Sequence, residues 1–572
     1  MTKYDWDLSK IYKNNEEIEV DKQKINEYLQ IYSKEVENKD IEKVLTIAQK
    51  ASKMISKLYA YSMMKKDENA KNQDSVKLSL EIEALSAKVN NVFSSLEPMI
   101  IGLDDETINK FLNTTDKKDY AQVVTRILRK KQHILSKQEE EILSVTEDIA
   151  NDSENNYYML SYADMQFGKL KNGKELSHAN YINFQQDKDT ELRKESFELM
   201  HDTYGKYINT FSSNYYSHVK AKEKIAKLRK FTSNRNEELF ADNIDEQVYD
   251  SLIDAVTDYI PDLSKYIDYK KKKLGLEEIS NYDLYVELSD KNQKKYSYEQ
   301  GKTLVKEALK PLGKDYSDIL ANGLESNWID VYPKDGKKSG GYSFGTYDTD
   351  PYILLNYTDN ISSVFTLAHE LGHSMHSYYS RKNNPYYQSN YTIFVAEVAS
   401  TTNELLLFNY LKDTLKDEDE KQSIILYNLE QYRTTVFRQT MFAEFEKIVH
   451  SKVANDEALT ADMLDEIYFN LNKKYYPTVS HSDGIAREWA RIPHFYSDYY
   501  VYKYATGFVC ASVLSQNILN ADAEPIDYLN FLKDGNKNYP IEQLKMAGVD
   551  ISKKETVAKA LDAFVKTVNE LK

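Results

Sequence analysis

The chain has a single cysteine, Cys510, in 572 residues. No internal disulfide can form, so the fold rests on burial and hydrogen bonding, and a reducing compartment suits it. Cys510 stands in Gly507-Phe-Val-Cys-Ala-Ser and reads as a small core residue. Proline is also scarce, and before Pro261 only Pro98 occurs. A first half almost free of the strongest helix breaker can run in long helices. No run of about 18 apolar residues exists to cross a bilayer, which excludes a membrane protein of helical type. The opening Met1-Thr-Lys-Tyr-Asp-Trp-Asp lacks the apolar centre of a signal peptide, so the expected location is cytoplasmic. Positive charge is in deficit: 75 basic against 91 acidic residues give a net charge of -16, with lysines spread throughout. Without a basic patch, nucleic acid is excluded as a partner.

Helices dominate what is there. Apolar residues recur at three- and four-residue spacings over Asn14–Lys34, Ile41–Lys66, Asp74–Ser95 and Asp187–Lys230. Turn signals are sparse: Asp104-Asp105, Asn113-Thr-Thr-Asp-Lys and Lys171-Asn-Gly-Lys. The chain is long enough for three or four domains on length alone, with no fixed-period repeat and no low-complexity linker. Tyrosine is abundant, at 47 residues. Most must be packing at helix edges, apolar on the body and polar at the tip.

Residues 330–357 are the exception to the helical pattern. Gly336, Gly340, Gly341 and Gly345 crowd together there, followed by the β-favouring Tyr352-Ile-Leu-Leu. The spacing is not that of a phosphate-binding loop. A small sheet is expected, whose edge strand either pairs with an extended peptide or braces the segment that follows.

That following segment is the most informative in the chain: Ser363-Val-Phe-Thr-Leu-Ala-His-Glu-Leu-Gly-His-Ser-Met-His376. His369 and His373 lie one helical turn apart on one face, so both imidazoles reach one metal ion. Glu370 beside them is placed to act as general base on a metal-bound water, the zinc peptidase pattern. With 10 histidines and 91 acidic residues, chance would supply such a string about 0.03 times per chain. The flanking Val364, Leu367, Ala368, Leu371 and Met375 predict a buried helix, whose polar groups then need partners. The metzincin variant requires Gly and His three and six places after the second histidine. His376 and Tyr379 stand there, so that variant is excluded.

Zinc needs a third protein ligand. Glu397 lies 24 residues after His373 among Phe394, Val395 and Val398, where a bare carboxylate is costly. It is the expected ligand, and Glu404, two turns on, is the candidate acceptor that orients a ligating histidine. Farther on, Trp489–Phe508 combines His494 with several tyrosines. His494, Tyr499 and Tyr502 are the right kind of neutral donor for an oxyanion, though read alone the segment favours structural packing.

These motifs together are similar to those of the thimet oligopeptidase-related zinc metallopeptidases, most closely the oligoendopeptidase F group. The likeness rests on His-Glu-Leu-Gly-His-Ser-Met-His, Phe-Val-Ala-Glu-Val-Ala-Ser and Arg-Ile-Pro-His-Phe-Tyr with Tyr-Val-Tyr-Lys-Tyr-Ala-Thr-Gly. Trp6-Asp-Leu-Ser and Glu238-Leu-Phe-Ala-Asp-Asn-Ile-Asp-Glu-Gln-Val-Tyr extend it along nearly the whole chain. The resemblance implies a mainly α, two-lobed metallopeptidase with a deep substrate channel and a small β-sheet beside the zinc helix. It implies one zinc ion per chain on His369, His373 and Glu397, Glu370 as base, and His494 at the oxyanion with one tyrosine from Tyr496, Tyr499 and Tyr502, of which Tyr502 is the first choice. Gly340, Gly341, Tyr342, Tyr496 and Tyr499 would meet substrate. It also implies segments at 1–112, 113–185 and 186–572, the last catalytic. The expected protein is a monomeric zinc endopeptidase of short unstructured oligopeptides, with no nucleic-acid or membrane partner. A carboxypeptidase on the same scaffold and a non-catalytic helical peptide-binding protein are the alternatives.

Overall fold

The computed structural model describes residues 2–288, 294–520 and 525–572. It is mainly α-helical with one small sheet. Three long helices, Asn15–Glu37, Ile41–Glu68 and Gln73–Phe93, open the chain close to their predicted spans. Each begins on a side chain that accepts otherwise orphaned N–H groups. Asn14 accepts from Glu17, Asp40 from Lys43, and Asn72 from Asp74 and Ser75. The predicted helix over Asp187–Lys230 is instead two, Thr190–Lys206 and Ile208–Leu228, broken at Tyr207. Gly205 in the last turn supplies the weakness. A Cβ there would meet the Arg487 guanidinium at 3.0 Å.

Contacts gather the chain into two compact units, each assembled from three separate stretches. The first comprises Met1–Gln132, Gln293–Asp413 and Leu514–Val549; the second comprises His133–Asn292, Thr414–Val513 and Asp550–Lys572. In the first unit, Trp6, Leu8, Ile11 and Tyr12 enter a core with Ile25, Leu58, Ile82 and Val89, and Tyr352 and Leu354 of the sheet join them. The sheet has three strands, β1 (Ile329–Asp330), β2 (Tyr342–Phe344) and β3 (Tyr352–Leu354), in the order β1-β3-β2. β1 runs parallel to β3 and β2 antiparallel to it, with Ser343 opposite Ile353. β2 is therefore an edge.

The helix Ile361–Asn383 lies against β2 and β3 and against the helices Tyr298–Ala308 and Pro525–Asp534. Asn360 caps it by accepting from Ser363 N–H. Most of its residues are buried, as its apolar flanks predict. Gly372 lets it approach the helix Ile393–Thr414: a Cβ at this position would sit 2.5 Å from the Ser400 Cα and 2.7 Å from the Ala399 carbonyl oxygen. Only a glycine permits that approach.

In the second unit the helices Ile208–Leu228, Arg438–Ala454 and Ala461–Tyr475 pack with the 3-10 segment Asp483–Arg491. Tyr215, Phe445, Trp489 and Phe495 form an aromatic centre there, with ring centroids 4.8–6.3 Å apart where they meet. Among the described residues no helix is long and apolar enough to cross a membrane.

Candidate metal centre

All the expected ligands fall in the first unit, on the two helices that Gly372 allows to close up. His369 Nε2 and His373 Nε2 are 3.2 Å apart. Glu397 Oε2 lies 3.4 Å from the first and 3.5 Å from the second. Bond lengths near 2.0–2.1 Å at tetrahedral angles separate neighbouring zinc ligand atoms by about 3.3 Å. The three donor atoms therefore already stand at zinc's ligand spacing, and the N, N, O set leaves one coordination position for water. Asn403 reinforces the helix pair by donating to the Ala368 carbonyl at 3.2 Å, and Tyr316 OH donates to Asn403 in turn at 3.1 Å.

Two of the donors, His369 and Glu397, are held by a neighbour outside the set. Glu404 Oε1 sits 2.6 Å from His369 Nδ1. That bond places the ring proton on Nδ1 and turns the Nε2 lone pair toward Glu397. Burial by itself would discharge this imidazole, but the hydrogen bond and charge of Glu404 outweigh it and carry its pKa up to about 9. Ser400 Oγ donates to Glu397 Oε2 at 3.0 Å. Burial pushes the Glu397 carboxyl up, yet the hydrogen bond from His373 and the field of both imidazoles bring it down to about 2. The carboxylate is thus ionised and ready to ligate. Glu404→Gln is expected to weaken metal affinity about 10- to 100-fold while leaving the fold intact. Competition against a chelator of known affinity measures it, and unchanged affinity would remove Glu404 from this role.

Glu370 is 6% exposed, and its Oε2 has no hydrogen-bond partner among the described residues. Burial raises its pKa, a push the neighbouring imidazoles only partly offset. Such a carboxylate is unsatisfied alone and suited to taking a proton. Gly341 faces it: a Cβ there would stand 3.5 Å from Glu370 Oε1. Gly340 adopts φ +85°, a left-handed conformation that turns the chain into β2. Tyr342 is half-buried, with its OH on Asp67 at 3.0 Å and its ring near Trp6. His376 stacks on Tyr391 at 3.7 Å and points away from the ligand set into the core.

The C-terminal candidates lie in the second unit, and only one is exposed. His494 is open to solvent beside Tyr500 and Tyr504, with Tyr504 OH 3.5 Å from its Nε2. Tyr496 is buried, its OH accepting from Asn214 at 2.9 Å. Tyr499 and Tyr502 are buried too, both against Tyr249. Tyr504 shares the segment and lies half-buried with its ring edge toward His494.

A second acidic and histidine cluster, Glu446, His450 and Asp498, is wholly buried in the same unit. Asp498 Oδ1 lies 3.0 Å from His218 Nε2 and 3.4 Å from His450 Nε2, and His450 Nδ1 is 3.0 Å from Glu223. Although burial opposes it, these carboxylates raise the His450 pKa to about 10; burial lifts Glu446 to about 8. Cationic His450 thus stands between two carboxylates with a neutral Glu446 beside it. Glu446 Oε1 accepts the Tyr499 N–H at 2.7 Å and so holds that residue's left-handed backbone, φ +51°. A tyrosine in that conformation is strained and needs such anchoring.

Comparison with known proteins follows the same lines. Residues 183–563 match Peptidase family M3, and residues 100–167 match Oligopeptidase F. The chain is 40% identical over 534 residues to Oligopeptidase PepF of Bacillus subtilis, covering 92% of this chain and 80% of that protein. It is 36% identical over 586 residues to an Oligoendopeptidase F homolog of Lactococcus lactis subsp. lactis, covering 100% and 97%. The crystal structure of oligoendopeptidase-F from Enterococcus faecium aligns with a TM-score of 0.73 at 32% identity, over 97% of this chain and 98% of that one.

Proposed function

The chain belongs to peptidase family M3, in the oligoendopeptidase F group of metalloendopeptidases, and from that premise we propose that it hydrolyses internal bonds of short oligopeptides with zinc and Glu370 as general base. The observation that carries this reading is the donor triangle of His369, His373 and Glu397 with the unpartnered Glu370 oxygen beside it. Zinc, one ion per chain, would supply Lewis acidity toward the scissile carbonyl and lower the pKa of an attacking water. Glu370 takes a proton from that water and returns it to the leaving amine. Glu404 keeps His369 in the tautomer that presents Nε2. β2, as an edge strand reached through Gly340 and Gly341, offers its outer side to an extended peptide. Recognition of backbone rather than side chains suits a mixed peptide diet.

His494 and Tyr502 are proposed as donors to the developing oxyanion on the strength of their motif. His494 is exposed as it stands, whereas the buried Tyr502 phenol acts only if its turn opens. The 1–112, 113–185 and 186–572 segments, the monomeric state and the cytoplasmic site belong to the same proposal.

The test is hydrolysis of quenched fluorescent peptides of about ten residues, with product mapping. Cleavage at internal bonds is expected. Release of terminal residues alone would make the protein a carboxypeptidase. Binding without cleavage by zinc-loaded protein, across several peptides, would make it a peptide-binding protein.

A further inference from the structure

Cations outnumber anions around a cavity of about 140 Å³ inside the second unit, walled in part by Tyr181, Arg438, Asn472, Tyr476, Glu488 and Arg491. Glu488 is its only acidic wall residue, and it is fully engaged. One oxygen accepts from Arg438 Nη2 at 2.9 Å and the other from Tyr468 OH at 2.6 Å. Arg491 makes no ion pair among the described residues. Its guanidinium lies over the Tyr181 ring at 5.0 Å, and its Nε, shut off from solvent, has no hydrogen-bond partner. Tyr476 is 2% exposed, and its hydroxyl faces the guanidinium of Arg433 behind the wall, which leaves its own proton to donate. That third guanidinium, Arg433, is held by Glu430 through its Nε and Nη2. Two guanidiniums share the one carboxylate, whose field keeps Arg491 charged despite burial, and the wall is left with one formal positive charge in excess. Such a charge is costly to enclose. Water can solvate it but cannot neutralise it.

We propose that this cavity binds a small monocarboxylate, of acetate to amino-acid size. The net wall charge matches one negative charge. The arginine fork presents parallel N–H groups that fit the two oxygens of a carboxylate. Tyr476 and Asn472 add neutral donors, while Phe197, Leu284 and Ile485 offer apolar wall for a short carbon body. The volume admits a few heavy atoms and excludes a peptide. None of these residues belongs to the candidate metal centre, so the site is separate from the proposed chemistry.

Thermal denaturation of the full, metal-loaded chain tests it, using acetate, chloride and phosphate at matched ionic strength in a bulky sulfonate buffer. Wild-type Tm should climb with the logarithm of acetate concentration, as linkage requires. Arg491→Met should abolish that climb and, without acetate, melt above wild type, because the excess buried charge is gone. Tyr476→Phe, which loses one hydroxyl and should fold normally, is expected to cut the acetate response by half or more. A flat wild-type response would overturn the proposal. So would an equal climb in Arg491→Met, or in Tyr476→Phe should the arginine variant fail to fold. A chloride or phosphate response matching that of acetate would overturn the carboxylate assignment.

Discussion

Glu370→Gln should retain its metal and lose about 100- to 10,000-fold in kcat, the range that a general base contributes. The substitution is nearly isosteric, and the residue sits 6% exposed beside Gly341, so shape is preserved. What changes is the ability of Oε2, now without a partner among the described residues, to accept a proton. KM should move little, since the lost interaction is made in the transition state. Metal content by elemental analysis and kcat on one peptide, measured on the same preparation, separate the two effects. A variant that hydrolyses within tenfold of wild type would end the assignment of Glu370 as base. One that loses its metal would move Glu370 from proton transfer to ligand support.

Loss of the third ligand should act differently. Glu397→Ala is expected to lower bound metal well below one ion per chain after dialysis, with activity returning in part when metal is added in excess. Two imidazoles alone form an incomplete set for a catalytic zinc, which takes three protein ligands. The same argument predicts that a strong chelator abolishes turnover in wild type and that added zinc restores it. Metal content in Glu397→Ala equal to wild type would point instead to Glu404. The geometry speaks against that exchange, because Glu404 Oε1 is committed to His369 Nδ1, on the opposite edge of the ring from Nε2.

The helix-borne part of the centre was legible because helical periodicity is a local rule. Four residues make one turn, so the facing of His369 and His373 follows from their spacing. Glu397 and Glu404 were found by the oddity of carboxylates in an apolar stretch, which has a physical cost whatever the fold. Gly372 gave no such warning: its need comes from Ser400, on another helix. The tyrosines carry little signal for the opposite reason. With 47 in the chain, type alone could not tell a buried Tyr502 from a half-buried Tyr504. The break at Tyr207 was hidden as well, since Gly205 is tolerated in a helix until Arg487 packs against it. The interleaving of the two units depends on pairings far apart in sequence, which no local pattern carries.

That interleaving sets an order of assembly during synthesis. The ligands between His369 and Glu404 leave the ribosome more than a hundred residues before the helix Pro525–Asp534, which packs on the ligand-bearing helix. Phe531 of that late helix approaches the buried His376 ring at 5.3 Å, and the Lys533 carbonyl accepts from Asn384 at 2.8 Å. Until they arrive, an apolar face of the nascent helix stands uncovered, offering chaperones a place to hold the growing chain. Closure of this unit thus becomes a late event, so a ribosome stalled before residue 525 would hold a chain with every candidate ligand made and its candidate centre still unsealed.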